Sequence, residues 1–369
     1  MPHDPYKALY LHIPYCVKKC HYCDFDSSAV PANSPEIDAY IEDLVCQILR
    51  ASKQGELSSI ETVYLGGGTP SYVGIGRLSS LLYALSHFMR LEPDVECSME
   101  ANPESVTERL INDIWALGVN RLSLGVQSFD DEVLQLLGRA HSAQTARQAV
   151  QVAKERFENV SVDLMCGIPG QSLSSFEASV QEAIELGVTH VSVYPLTIEP
   201  GTVFFNQVAQ GAMEEPDDDF EAQCMKRAAE LLSEASFSRY EVASYALSGY
   251  ECKHNISYWT GVPYLGMGRS AATMTQNATR RMRKKDGLIT DDLNAAQMRA
   301  EDLMLSMRMA RGVSKEAVEQ AQQLLPKVNE TFEELCALGL CVCEDNRYKP
   351  TEKGWLCGNE LYGRIFDLA

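Results

Sequence analysis

Three cysteines, Cys16, Cys20 and Cys23, fall within eight residues of the stretch "YLHIPYCVKKCHYCDFDSS". The spacing Cys-x3-Cys-x2-Cys puts three thiols on one tight loop, which suits three corners of a cubane 4Fe–4S cluster. The fourth iron is then left to an exchangeable ligand. The same thiols could instead hold zinc, completed by His21 or a distant residue, or stay unligated. No fourth cysteine follows closely, and Phe25 stands two residues after Cys23. A second stretch able to do chemistry is "YLGGGTPS". Its glycines let the backbone approach a ligand closely, and their N–H and C=O groups can bind an amino or carboxylate group. Neither a phosphate-loop lysine nor a dinucleotide-binding spacing accompanies it.

Six β-like runs must position these groups: "LYLHIP", "TVYLGG", "VECSMEA", "RLSLGVQ", "VSVDLMCG" and "HVSVYPL". Helical patterns separate them. In "FDDEVLQLLG", Asp130 or Asp131 caps a helix and Gly138 closes it, and "SLSSFEASVQEAIELG" carries apolar residues at helical spacing. Strand and helix in alternation imply right-handed crossovers and a parallel sheet with helices outside. The expected class is α/β, an open (β/α)6 partial TIM barrel. In such folds chemistry gathers at the C-terminal strand ends. Cys16, Cys20, Cys23, the glycine turn, Glu100, Gln127 and Asp163 all fall there.

The pattern changes after about residue 200. An acidic loop, "GAMEEPDDDFEAQ", leads into a helix, and an aromatic-rich stretch follows. From Gln297 the chain reads as mostly helical, with "LGLCVCEDNRYKPTEKG" as a hairpin-like wing. The expected division is a barrel over 1–235, a barrel extension over 236–296 and a small, mostly helical, winged-helix-like C-terminal domain over 297–369.

The 32 basic and 51 acidic residues give a formal charge of −19, which repels phosphate backbones and argues against nucleic acid as a partner. The one basic run, "RRMRKK" (Arg280 to Lys285), reads as a solvated loop, the alternative being contact with anionic lipid or a carboxylate-bearing ligand. No apolar run is long enough to span a bilayer, and "MPHDPYKALY" holds no cleavable apolar segment, so a cytoplasmic location is expected. Twelve cysteines in a reducing compartment point to metal or redox chemistry for some of them. Cys46, Cys97 and Cys224 are expected as small core residues. Core packing or chance accounts for Cys336, Cys341, Cys343 and Cys357.

With the thiols and the glycine turn on one rim, the sequence resembles the radical S-adenosylmethionine (SAM) proteins. The resemblance implies that the SAM amino and carboxylate groups chelate the unique iron, and that one electron from the cluster cleaves SAM to a 5′-deoxyadenosyl radical. "EANPE", "GVQSF", "LGRAH", "DLMCGIPGQ" and "YPLTIEPGT" resemble, in order, the oxygen-independent coproporphyrinogen oxidase group and its relatives over about residues 7–205. That implies SAM binding by Tyr10, Gly67, Gly68, Thr69, Glu100, Gln127, Arg139 and Asp163, with Tyr22 packed on the cluster or nucleotide. Taken singly, Arg139 could be a surface ion pair and Asp163 a strand-end cap.

Within that group the true oxidases carry a fourth cysteine where Phe25 stands, and a longer segment before the cluster loop. The "CDF" triplet, the short start, "HNISYW" (His254 to Trp259) and "EDLMLSMRMARGV" are similar to the HemW group, regarded as heme chaperones. This implies heme as cargo, passed to an acceptor such as a membrane-bound respiratory enzyme, with the protein peripheral at the inner membrane face. It also implies an electron donor and allows a homodimer. His254 is the candidate heme-iron ligand, with Tyr258 and Trp259 able to pack on a flat macrocycle. The alternative is that His254 and Asn255 only tie a loop to the barrel. The competing function is oxidative decarboxylation of coproporphyrinogen III or another radical reaction on a tetrapyrrole. A winged-helix regulator with a metal site fits neither the acidic charge nor the intact rim.

Overall fold

The computed structural model describes residues 3–89 and 94–369; the first two residues of "MPHDPYKALY" lie outside it. The chain opens with β1 (Ala8–Ile13), then the short strands β2 (Tyr15–Cys16) and β3 (Ser28–Ala29), and α1 (Pro35–Lys53). The repeat continues as β4 (Thr62–Gly67), α2 (Ile75–Phe88), β5 (Glu96–Ala101), α3 (Glu108–Ala116), β6 (Arg121–Gln127), α4 (Asp131–Leu136) and α5 (Ala143–Lys154). β7 (Asn159–Cys166), α6 (Leu173–Glu185) and β8 (His190–Pro195) complete it, followed by α7 (Val203–Ala209) and α8 (Asp218–Glu234). The expected cap Asp130 accepts from Glu132 N–H, and the structure adds Ser172, which accepts from Ser175 N–H, and Asp217, which opens α8 after the acidic loop.

All six expected strands are present and pair in parallel in the order β1-β4-β5-β6-β7-β8. Their alternation explains the layering. Leu9, Leu11, Ile13, Val63, Leu65, Leu122, Leu124, Val162 and Val191 belong to one buried cluster with the helices. The alternate positions are polar. Tyr10, Thr62, Tyr64, Glu96, Ser98, Glu100, Arg121, Ser123, Ser161, Asp163, His190 and Ser192 share the opposite face. The inside of this curved sheet is therefore lined with groups that must hydrogen-bond to one another.

The sheet is larger than six strands. β9 (Ser238–Arg239) and β10 (Ser244–Ala246) add antiparallel to β8. After α9 (Lys253–Trp259), β11 (Tyr264–Met267) adds parallel to β1. β12 (Ala272–Asn277), β13 (Arg280–Lys285) and β14 (Leu288–Asn294) then extend that edge, giving twelve strands in one open sheet. Phe237, Tyr245, Leu265 and Met267 join the barrel core.

"RRMRKK" is thus not a solvated loop; it is strand β13. Arg281 is buried and donates to Glu301 at 2.5 Å and Asp302 at 2.7 Å. Arg283 pairs with Asp291 and Glu301, and Arg280 with Asp292. These five ion pairs within the protein engage all three arginines of the run. Cys46 corrects another expectation, being exposed, whereas Cys97 and Cys224 are buried.

The C-terminal part starts with α10 (Ala295–Ser306), opened by an Asn294–Gln297 capping box. β15 (Val313–Ser314), α11 (Lys315–Ala321), α12 (Val328–Ala337), β16 (Cys341–Glu344), β17 (Arg347–Pro350), α13 (Glu352–Leu356) and α14 (Gly358–Phe366) follow. The small sheet runs β15-β17-β16, so the expected wing is there. A second core, including Leu303, Met307, Phe332, Leu335 and Ile365, lies in this part. Arg308 lies between the rings of Trp259 and Tyr362, at 5.1 and 4.7 Å, clasping it to the barrel. Among the described residues no helix is long and apolar enough to cross a membrane.

Candidate functional site

The cysteine loop is held at both flanks before any ligand is considered. On one side His12, at the end of β1, lies with Nε2 2.9 Å from the Asp26 carbonyl and Nδ1 3.1 Å from the Tyr10 hydroxyl. The donors then run from Tyr10 to His12 and from His12 to the loop. Gly68 N–H donates to Ile13 O at 2.9 Å, and Thr69 N–H to Tyr15 O at 2.8 Å. On the other side His21 N–H donates to Leu137 O at 3.0 Å, and Phe204 N–H on α7 to His21 O at 3.0 Å.

This explains the glycine turn in part. A Cβ on Gly67 would lie 2.5 Å from the His12 ring, at a φ of +113° that favours glycine. One on Gly68 would lie 2.7 Å from Tyr15 N. The glycines let the β4 turn close on the base of the cysteine loop as well as expose backbone to the rim.

All three cysteines line one cavity of about 350 Å³ at the C-terminal strand ends. Tyr22, Gly67, Gly68, Glu100, Gln127, Arg139 and Asp163 line it with them. Two expected residues do not. Tyr10 lines a neighbouring cavity that shares Phe25, Gly67 and Glu100 with the first. Thr69 is buried, donating to Cys16 Sγ at 3.4 Å and accepting from Asn102 Nδ2 at 2.9 Å, so it braces a cysteine. Burial raises the Cys16 and Cys23 thiols, with the neighbouring thiols adding to the effect and hydrogen bonds opposing it.

Arg139 is not a surface ion pair. Its guanidinium donates to Asn102 Oδ1 at 2.7 Å, to Gly125 O at 2.5 Å, and to Cys20 Sγ and the Tyr22 hydroxyl at 3.4 Å each. Its Nε is buried without a partner. Burial opposes its charge, but Tyr22, Cys20 and Glu104 together hold it firmly protonated. Asp163 is no strand-end cap either: it accepts from Ser123 Oγ, and burial raises its carboxyl. Glu100 accepts from Tyr64 O–H at 2.9 Å and Gly67 N–H at 3.0 Å, yet burial still pushes it up to about 7. Gln127 sits at φ +69° beside an irregularity in the β6–β7 pairing. That is uncommon for a side chain with a Cβ and typical of functional positions.

The residues present fit a cluster and SAM. Three thiols from one loop face a cavity whose wall carries the Arg139 guanidinium, the Glu100 and Asp163 carboxylates and the backbone of the glycine turn. Among the described residues no three His, Cys, Asp or Glu side chains are gathered closely enough to hold a single metal ion. Sequence reasoning missed Asn102, Ser123 and Tyr194, which also line the cavity. Asn102 joins Thr69 to Arg139 and was in view inside "EANPE", one polar residue past the strand-end Glu100.

His254, the candidate heme ligand, is enclosed by the fold. It is buried, its Nδ1 lies 2.9 Å from Thr62 Oγ1, and its Nε2 lies 3.2 Å from the Tyr258 hydroxyl. Both nitrogens are engaged, leaving none for iron in this conformation. Burial and nearby Arg121 push it down to about 3. The segment ties α9 to the barrel, and Glu96 accepts from the N–H groups of Lys253 and His254 at 2.9 and 3.0 Å. Trp259 donates Nε1–H to Glu241 at 3.1 Å.

A Radical SAM superfamily model matches residues 10–183, and a HemN C-terminal domain model matches residues 293–357. The heme chaperone HemW of Bacillus subtilis is 31% identical over 97% of this chain and 98% of its own length. That of Escherichia coli is 38% identical over 72% of this chain and 70% of its own. Among solved structures, coproporphyrinogen III oxidase (HemN) from Escherichia coli superposes with a TM-score of 0.80 at 22% identity, over 100% of this chain and 90% of that one, which establishes a common fold. With 31% identity to the Bacillus protein along almost its whole length, the chain belongs to the HemW family of the radical SAM superfamily.

Proposed function

We propose that this protein is a heme chaperone, binding heme and passing it to an acceptor, and that it carries a SAM-liganded 4Fe–4S cluster. Cys16, Cys20 and Cys23 hold the cluster. Tyr22, Gly67, Gly68, Glu100, Gln127, Arg139 and Asp163 bind SAM, with Tyr10 and Thr69 supporting from the adjoining wall. Glu100 faces the ligand ammonium, while Asp163 and Gln127 serve ribose hydroxyls. Arg139 offsets the negative charge of the thiolates and the ligand carboxylate. When bound, the cluster supplies an electron to SAM.

The observation that carries the heme reading is the apolar rim above this cavity. Phe25 is 60% exposed, and Val17, Tyr194, Val203 and Phe205 are exposed with it on the loop, the strand end and the helix strapped to that loop. Lys18 and Lys19 line the cavity beside them. A flat apolar macrocycle bearing carboxylates matches such a surface, its faces on the aromatic rings and its carboxylates on the lysines. The acceptor is a protein with an empty heme site, a membrane-bound respiratory enzyme being the first to try, met at the cytoplasmic face of the membrane. An electron donor serves the cluster, and the working form is a monomer or a homodimer.

The test is anaerobic. Reconstituted protein is given SAM, a reductant and coproporphyrinogen III, and in parallel heme and an apo-acceptor. Stoichiometric heme binding and transfer without porphyrinogen turnover is the expected result. Multiple turnovers to protoporphyrinogen would overturn it in favour of the oxidase.

A further inference from the structure

We propose that His254 and Tyr64 are positioning residues for the SAM site, so that the HNxxYW segment supports the cofactor from behind. This rests on the assignment of Glu100 to the SAM ammonium. The His254 ring stacks on Tyr64, centroids 5.0 Å apart and planes 28° from parallel. Tyr10 stacks on Tyr64 at 6.2 Å. Held by these two rings, Tyr64 gives its hydroxyl hydrogen to Glu100 Oε1 at 2.9 Å, while Gly67 N–H holds Oε2 at 3.0 Å. Both carboxylate oxygens are thereby aimed by β4, one through a side chain and one through the glycine turn.

His254 is itself fixed. Thr62, two residues before Tyr64 on the same strand face, lies 2.9 Å from its Nδ1, and Tyr258 lies 3.2 Å from its Nε2. Glu96 anchors the first turn of α9 through the Lys253 and His254 amides. A path of contacts therefore runs from the HNxxYW helix through two aromatic rings to the carboxylate on the cavity wall. The ring is neutral, so it supports Tyr64 without adding a positive charge to a site that takes a cationic amine. Phenylalanine at position 64 would keep the stack and lose the hydrogen bond; alanine at 254 would keep the hydrogen bond and lose the stack.

The experiment measures SAM dissociation constants by equilibrium dialysis on cluster-loaded protein, with iron content and thermal midpoint as controls. Tyr64→Phe should weaken SAM binding about tenfold or more, since a hydrogen bond to a charged group is lost. His254→Ala should weaken it several-fold, and the double variant should be no worse than Tyr64→Phe alone, because both act through one hydroxyl. Tyr64→Phe should also move the midpoint of the pH dependence of SAM binding upward, since Glu100 loses a donor to its ionised form. Asp163, Arg121, Tyr10 and Tyr258 also face that carboxylate and stay in place. Heme stoichiometry should be unchanged in both variants. Additive losses in the double variant, or His254→Ala losing heme while keeping SAM affinity, would overturn the inference. Should His254→Ala not fold, an unmoved SAM affinity and pH midpoint in Tyr64→Phe would overturn it instead. Wild-type SAM affinity in Glu100→Gln would strike the underlying assignment, a different failure read in a different variant.

Discussion

With Glu100 facing the SAM ammonium, as proposed above, SAM binding and stability depend on pH in a definite direction. Burial pushes its carboxyl from 4.5 up to about 7, the Gly67 amide and Tyr64 hydroxyl pulling the other way. Without ligand it is therefore about half protonated near neutrality, and only the ionised form attracts an ammonium. SAM affinity should fall by roughly tenfold per pH unit below 7 and level off above it. Calorimetry in buffers of different ionisation heat should show net proton release on binding at pH 7. The same shift acts on folding. Between 4.5 and about 7 the folded state binds the proton that the unfolded state has lost, so stability declines as pH rises through that window. A rise of this size amounts to about 3 kcal/mol in all, complete once pH exceeds the folded value. Asp163 and Glu221, also raised by burial, slope the same way, so the informative quantity is wild type minus Glu100→Gln. The variant should lose the pH dependence of SAM binding and part of the stability slope. Parallel wild-type and variant profiles, both in SAM affinity and in denaturation midpoint from pH 5 to pH 8, would refute the reasoning.

Replacing Cys20 with alanine should abolish the cluster, read as loss of bound iron and sulfide, while leaving the barrel folded; full iron content would reject its role. Gly68→Ala should cost about 1–3 kcal/mol in a denaturant titration, because the new Cβ meets the Tyr15 backbone; an unchanged midpoint would show that the turn yields. Arg281→Met should destabilise by about 3–5 kcal/mol, leaving Glu301 buried with fewer partners, and a neutral result would mean that Arg283 alone suffices. Cys336 and Cys341 sulfurs lie 3.3 Å apart in the wing. Oxidised glutathione should join them with release of two glutathione thiols, detected as a loss of two alkylatable cysteines from the peptide 328–347; labelling of all three there would count against it.

The barrel was legible because its signals are local. Each strand-to-helix unit carries its own alternation, cap and closing residue, so "RLSLGVQSFDDEVLQLLG" declares a strand, a cap at Asp130 and a stop without help from the rest of the chain. The edges were not legible. Strands β11 to β14 carry Gly266 and a run of arginines, compositions that belong in loops unless partners stand opposite. The partners, Asp291, Asp292, Glu301 and Asp302, lie on the next strand and helix, where only pairing in space reveals them. Cys46 fails as a core residue for a similar reason: it lies on the outer face of α1, and thiol identity says nothing about which face is turned in.

The site divides along the same line. Cysteine spacing names three candidate ligands because one loop supplies them all, whereas Asn102 and Tyr64 meet Arg139 and Glu100 through bonds that no local spacing encodes. His254 shows the consequence most clearly. Beside Tyr258 and Trp259 in sequence it looks like a ligand for a flat macrocycle, since an imidazole next to aromatics fits that role. In space its nitrogens meet Thr62 and Tyr258, and its ring meets Tyr64. An imidazole with both nitrogens satisfied and a neutral ring works as a spacer, and what it spaces is the tyrosine that holds the carboxylate of the cavity. On the reading proposed above, the motif braces the cofactor site, while the cargo meets a different surface, the apolar side chains around Phe25.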